Sequence, residues 1–236
     1  MLDWAFAAYL VLYFPLRQLW RSLRPAAVQR APQAPSKLYL RNVRFIGTLL
    51  AAMVAIMFLE GHTAGDIGLD VPVSRYGQWG LAFCAVLIAI PLIWSSLPSF
   101  SGKEEKWTAE QIARLAANPM IPRSPREFAL LLLMSVVVGA GWELLYRGYL
   151  MLVLPGLLGT AGAVIATALA YGAGHGYDNP RQFIGSIVSA FLFTLAYLLT
   201  GSLWWLIVVH TMAPLFMGIV GYRTLKSLGK LSASEA

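Results

Sequence analysis

The stretch FALLLLMSVVVGAGWELLYRGYLMLVL, residues 128–154, decides the fold class of this chain. Glu143 and Arg147 are its only charged residues, and it is longer than the about 20 apolar residues that a helix needs to cross a bilayer. A charge at the centre of a membrane helix costs roughly 2.5–3.5 kcal/mol on insertion scales, so it persists mainly where it is paired or functional. Because Glu143 precedes Arg147 by four residues, we predict that their side chains pair on one face of a helix.

The whole chain is poor in charge for a soluble protein. Of its 236 residues, 58% are hydrophobic and 12% are charged, and the mean hydropathy is +0.65. Soluble domains typically carry about 25% charged residues. The apolar residues form several runs, so we predict an all-α, polytopic integral membrane helical bundle with about seven transmembrane helices. The predicted spans are residues 3–20, 44–60, 78–98, 125–154, 160–176, 182–200 and 202–222.

The distribution of charge predicts the membrane orientation. The net charge of +7 alone would suit nucleic acid, but the basic residues cluster in loops beside apolar spans, which is typical of contact with a lipid bilayer instead. The loop between the first two predicted spans carries Arg17, Arg21, Arg24, Arg30, Lys37, Arg41 and Arg44 and no acidic residue. We therefore predict that this loop and the C-terminus are cytoplasmic, that the N-terminus is outside, and that the membrane is a bacterial inner (plasma) membrane.

Local signals predict where two helices begin. Ser124 is a good N-cap and Pro125 suits the first helical position, so the fourth membrane helix should start there. Thr108 and Gln111 have the spacing of a capping box, which predicts a short helix over Ala109–Ala117 in the loop before it.

Two histidines extend the polar site suggested by the charged pair. His210 lies inside the last apolar run and needs a polar partner there, whereas His175 lies at the end of the fifth span. An intramembrane glutamate with two buried histidines suggests acid–base chemistry on water. The same three residues, Glu143, His175 and His210, would supply the ligands of a hydrolytic zinc site, although no HExxH pair is present. A purely structural ion pair and a proton-coupled transporter are the alternatives.

The residues beside Glu143 predict close packing around it. Gly139, Ala140 and Gly141 precede the acid and leave room for the backbone of another helix. Tyr146 follows it by three residues and would add a hydroxyl group to the same region.

Three short motifs resemble those of the CPBP intramembrane proteases, also called the CAAX-protease or bacteriocin-processing (Abi) family. WELLYRG at 142–148 resembles the family's E-E-x-x-x-R-G motif, and YGAGH at 171–175 is similar to its F-x-x-x-H motif. HTMAP at 210–214 falls where the third motif, H-x-x-x-N, belongs. The order and spacing of all three agree with the family.

The resemblance implies how the chain is divided and what it does. It implies an intramembrane protease core over 120–222, preceded by N-terminal membrane helices with cytoplasmic loops over 1–119 and followed by a cytoplasmic tail over 223–236. Such a core is an endopeptidase that hydrolyses a peptide bond of a membrane-associated protein or peptide. Carried over by motif, the site residues are Glu143, which activates water, with His175, His210 and Arg147.

Two residues depart from the family pattern. Trp142 stands in place of the first glutamate, which usually serves as the base, and Pro214 stands in place of the asparagine. Either Glu143 takes over as the base, or the chain is a catalytically inactive family member that acts as a membrane scaffold or chaperone.

Overall fold

The computed structural model of this chain describes residues 1–24, 34–96 and 108–229. These residues form eight α-helices, two of which contain a π-helical segment, one single-turn 3-10 helix at Gly65–Ile67, and no strand. In chain order the helices are α1 (Leu2–Ala8, a π-helical segment Tyr9–Tyr13, and Phe14–Ser22), α2 (Pro35–Glu60), α3 (Arg75–Ser96), α4 (Ala109–Ala117), α5 (Pro125–Trp142, a π-helical segment Glu143–Tyr149, and Leu150–Val153), α6 (Pro155–Gly174), α7 (Pro180–Thr200) and α8 (Trp204–Ser227). The predicted all-α fold is confirmed.

Five helices, α2, α5, α6, α7 and α8, are long and apolar enough to cross a membrane. They correspond to five of the seven predicted spans, and the other two predicted spans fall on α1 and α3. The start predicted for the second span was wrong: α2 begins at Pro35, not near residue 44. Pro35 suits this start because proline is favoured at the first helical position. Lys37, Arg41 and Arg44 therefore lie on the helix and not in the loop before it.

The predicted helix starts are confirmed by their capping bonds. Ser124 Oγ accepts a hydrogen bond from the Glu127 N–H at 3.2 Å, and α5 begins at the next residue. Thr108 and Gln111 form both bonds of the capping box ahead of α4. These contacts satisfy N–H groups that have no partner within the first turn of a helix.

The bundle exposes apolar side chains and buries polar ones. Leu133, Ile165, Val188 and Met217 are exposed on the outer faces of α5, α6, α7 and α8. Ser135, Thr167 and Thr194 are buried inside, together with the charged pair of α5. This distribution suits a hydrocarbon solvent and supports an integral membrane protein.

Helix α5 lies at the centre, packed against α2 and α8. A Cβ at Gly139 would lie 2.7 Å from Thr211 Oγ1 and 2.8 Å from Thr211 Cα on α8. A Cβ at Gly141 would overlap Ile46 on α2. The small residues before Glu143 therefore allow the predicted close approach of another helix, and they admit two neighbours, α8 at Gly139 and α2 at Gly141.

Candidate active site

The charged pair of α5 lies in the interior, at the start of the π-helical segment. Glu143 is 0% exposed and Arg147 is 1% exposed. Arg147 Nη1 donates to Glu143 Oε1 at 3.3 Å, so the predicted ion pair is present. The guanidinium also donates through Nη2 to the carbonyl of Ala190 on α7 at 3.4 Å, and it lies 4.3 Å from the ring centroid of Tyr171 on α6. Arg147 thus links three helices.

His210 finds its polar partner in the same carboxylate. Its Nδ1 lies 2.7 Å from Glu143 Oε1, and its Nε2 lies 3.2 Å from the hydroxyl of Tyr171. An ionised carboxylate only accepts, so Nδ1 donates to it, and in the neutral imidazole Nε2 then accepts from Tyr171. The result is a hydrogen-bonded chain that runs from Tyr171 through His210 and Glu143 to Arg147.

Several buried polar atoms next to this chain have no hydrogen-bond partner in the described part of the protein. They are Glu143 Oε2, Arg147 Nε and Thr211 Oγ1. Thr211 follows His210 directly and packs against Gly139, where α8 approaches α5 closely. Unpaired buried polar atoms are rare in native proteins and concentrate where a ligand or water is bound or chemistry occurs.

His175 lies apart from the glutamate. It forms the C-cap of α6, is exposed, and donates from Nδ1 to the carbonyl of Tyr171 at 3.0 Å. Its ring centroid lies 4.3 Å from that of Tyr171. Within the ranges that the structure describes, no hydrogen bond joins His175 to Glu143 or His210, and Tyr171 stands between them. Glu143, Arg147 and His210 are therefore in direct contact. His175 is separated from them by Tyr171.

The ring of Trp142 lies on the same side of Tyr171 as His175. Its ring centroid lies 6.4 Å from that of His175, 6.3 Å from that of Tyr171 and 5.5 Å from that of Phe14 on α1. The position that usually carries the family's first acid therefore faces His175, whereas Glu143 faces His210. In this chain the face toward His175 carries the aromatic ring of Trp142 and not an acid.

One tyrosine was placed in the site wrongly from the sequence, and another was missed. The hydroxyl of Tyr146 donates to the carbonyl of Leu10 on α1 at 3.1 Å, so it ties α5 to α1 instead of serving Glu143. Tyr171 contacts His210, Arg147 and His175. Its spacing of four residues from His175 places it on the same face of α6, but no sequence pattern shows that this face meets α8.

Residues 124–216 match the family model described as type II CAAX prenyl endopeptidase, Rce1-like. This match confirms the resemblance to the CAAX-protease family. No curated protein and no solved structure matches the chain. The Rce1-like segment begins at the N-cap of α5 and ends within α8, so it contains all four predicted site residues. The family is one of peptide hydrolases.

The donor set of the Rce1-like segment does not fit the zinc site considered above. No group of three His, Cys, Asp or Glu side chains that could hold a metal ion occurs in residues 1–24, 34–96 and 108–229. Glu143 and His210 meet, but His175 turns its Nδ1 to a backbone carbonyl. A hydrolytic zinc ion typically takes three protein ligands, and only two of the three predicted ones meet here.

A cavity of about 630 Å³ opens beside the Rce1-like segment. His175 and Gly176 form one wall, and residues of α1 and α2 form the others. Neither Glu143 nor His210 lines it. The side chain of His210 is 18% exposed, so the hydrogen-bonded chain can be reached past this imidazole.

Proposed function

We propose that this protein is an intramembrane endopeptidase in which Glu143 activates water against a peptide bond of a membrane-associated protein or peptide. The observation that supports it best is the 2.7 Å hydrogen bond between His210 and Glu143, two residues of separate family motifs on separate helices. A buried carboxylate that is hydrogen-bonded to an imidazole is a suitable base for proton transfer.

The two oxygens of the carboxylate have different roles in this mechanism. Oε1 is held by His210 and Arg147, which fix the carboxylate in place. Oε2 is buried and free of hydrogen bonds from the described residues, so it is the oxygen that accepts a proton from water. As that proton moves to Oε2, the water oxygen bonds to the carbonyl carbon of the substrate. The proton then passes to the departing amide nitrogen as the C–N bond breaks.

The histidines and Tyr171 assist this step. The hydroxyl of Tyr171 holds His210 Nε2, and the carbonyl of the same tyrosine holds His175 Nδ1. Because Nδ1 of His175 is bonded to that carbonyl, its Nε2 is the nitrogen that would contact the substrate, from the side of the cavity. A donor placed at the developing oxyanion is typically worth about 10²–10³ in rate, so this residue would contribute by stabilising that charge.

The test is cleavage of a quenched fluorescent peptide with a prenylated C-terminal cysteine motif by the purified protein in lipid vesicles. Loss of a general base typically costs about 10²–10⁴-fold, so Glu143→Gln should lower the rate of cleavage by at least about 100-fold. His210→Ala should also lower it strongly. Glu110→Gln, which changes an exposed acid on α4, serves as the control and should leave the rate unchanged. Cleavage by Glu143→Gln at the wild-type rate would refute the proposed role.

A second candidate function, a scaffold or chaperone without hydrolysis, is favoured by the environment of Trp142. Its ring packs among Phe14, Tyr171 and His175, where an acid would be needed to activate water beside that histidine. This candidate predicts no cleavage by the wild-type protein, and a cellular phenotype that survives Glu143→Gln at normal protein levels. Loss of the phenotype in that variant, with the protein still folded, would rule it out.

A further inference from the structure

The cavity beside His175 is strongly basic. Its walls include Arg17 and Arg21 of α1, Arg24 just beyond the end of α1, and Arg41 of α2. No acidic residue is among the described side chains that line it. Four guanidinium groups around about 630 Å³ make a region of positive potential that favours an anionic ligand.

Two of these arginines lack a partner for their charge. Arg17 and Arg21 are exposed and form no hydrogen bond or ion pair with any residue that the structure describes. They are four residues apart on one helix, and like charges at this spacing repel each other by roughly 0.2–0.5 kcal/mol. A bound anion would remove this repulsion. Arg24 is held in place differently, because its guanidinium lies 3.6 Å from the ring centroid of Trp20.

The wall of the cavity is fixed by contacts between α1 and the end of α6. Ser22 Oγ accepts from the Tyr177 N–H at 2.7 Å and donates to the carbonyl of Leu19 at 2.8 Å. Gly176 has φ +76, and a Cβ there would lie 3.3 Å from Ser22 Cβ. The chain therefore turns close beneath α1, and the cavity has a formed wall rather than a loose surface.

We propose that this cavity binds the phosphate headgroup of an anionic phospholipid. The flank of α1 outside the cavity favours a lipid over a soluble phosphate, because Leu16, Trp20 and Leu23 are 60–61% exposed and would lie against acyl chains. Exposed tryptophan is typical of the membrane interface, and basic pockets between membrane helices bind anionic headgroups.

The headgroup site adjoins the candidate active site through His175. This histidine lines the cavity and contacts Tyr171, which bonds to His210. An anion in the cavity would therefore lie next to the imidazole that the mechanism assigns to the substrate. Binding of the lipid does not depend on hydrolysis and is measured without it. A failure of the lipid-binding proposal can therefore be distinguished from a failure of the proposed function.

The experiment measures equilibrium binding of a fluorescent phosphatidylglycerol to the full chain in a neutral detergent. The variant Arg17→Gln/Arg21→Gln removes the two unpaired charges. At about 1 kcal/mol for each basic residue near a lipid headgroup, the dissociation constant should rise about 30-fold. The matched control is Arg223→Gln/Lys226→Gln, which removes two exposed charges from the end of α8, outside the cavity, and should bind as wild type.

Two further arms make the result specific. Arg17→Lys/Arg21→Lys keeps the charge and should retain most of the affinity, so a loss confined to the glutamine variant follows the charge and not the mere replacement of the two arginines. Unlabelled phosphatidylglycerol should compete, and phosphatidylcholine should not. Equal weakening by both glutamine pairs would overturn the proposal, because the binding would then be general surface attraction. Competition by inorganic phosphate as strong as that by the lipid would also overturn it, in favour of a soluble phosphate anion.

Discussion

The buried ion pair of α5 makes a prediction that separates folding from catalysis. Glu143 and Arg147 are 3.3 Å apart with 0% and 1% of their side chains exposed. Removing one partner leaves the other charge buried without its ion pair, and breaking a buried pair in this way typically costs roughly 3–5 kcal/mol. We therefore expect Glu143→Gln and Arg147→Met each to lower the free energy of unfolding strongly, and the double variant to recover most of that loss.

The magnitude follows from the geometry of the pair. Two unit charges 3.3 Å apart attract each other by about 5 kcal/mol at an effective dielectric constant of about 20. The coupling free energy from a double-mutant cycle should therefore be about 3 kcal/mol or more. The two single variants should also differ: the carboxylate left by Arg147→Met keeps its hydrogen bond from His210, whereas the guanidinium left by Glu143→Gln loses its only described acidic partner. Glu143→Gln should be the less stable of the two.

The assay is reversible unfolding by sodium dodecyl sulfate of protein in mixed micelles, followed by tryptophan fluorescence. The chain supplies a matched control in Glu110 and Arg114, a pair with the same spacing on α4. These side chains are 2.6 Å apart, but 74% and 79% of them is exposed. An exposed pair of this kind couples by about 0.3–0.5 kcal/mol. A coupling in the α5 cycle as small as that of the control would refute the account of the buried pair.

The double variant also sharpens the test of function. If it folds as stably as wild type, it carries no glutamate at position 143 and no unpaired charge. Absence of peptide cleavage by this folded protein would then report the loss of the base rather than the loss of the fold. Retained cleavage would remove Glu143 from the mechanism.

Two other substitutions probe the contact between α5, α6 and α8. Gly139→Val should destabilise the protein by about 1–3 kcal/mol, because its side chain would overlap α8, whereas Gly185→Ala, with open space around it, should stabilise by up to about 1 kcal/mol. Thermal unfolding in detergent measures both, and equal effects would contradict the close approach. Tyr171→Phe should cost about 0.5–1.5 kcal/mol by leaving His210 Nε2 unpaired. Tyr13→Phe, at a 58% exposed ring, should change stability by less than about 0.5 kcal/mol, and a similar small effect at Tyr171 would argue against that hydrogen bond.

The sequence was informative wherever a signal lies within one helix. The spacing of Glu143 and Arg147 predicted their pairing, and the isolation of His210 in an apolar run predicted a polar partner. The capping residues predicted the starts of α4 and α5. Each of these depends on neighbours a few residues away, whose relative positions are set by helix geometry.

Features that depend on packing between helices were not predictable in the same way. The π-helical segment Glu143–Tyr149 has no signature in composition. The contact of Tyr171 with His210 depends on how α6 and α8 are placed against each other, and the hydroxyl of Tyr146 turned to α1 for the same reason. The start of α2 was misplaced because basic residues near a membrane boundary were assigned to a loop, although they continue the helix.

The adjacent residues Trp142 and Glu143 determine which histidine the site can use. Successive residues project about 100° apart on a helix, so the two side chains face different neighbours. Trp142 faces His175, and Glu143 bonds to His210. A single glutamate at position 143 therefore cannot take the place of an acid at position 142 simply by reaching across the helix. If this protein hydrolyses peptides, its base must act from the His210 side, with Tyr171 as the only described contact that joins the two histidines.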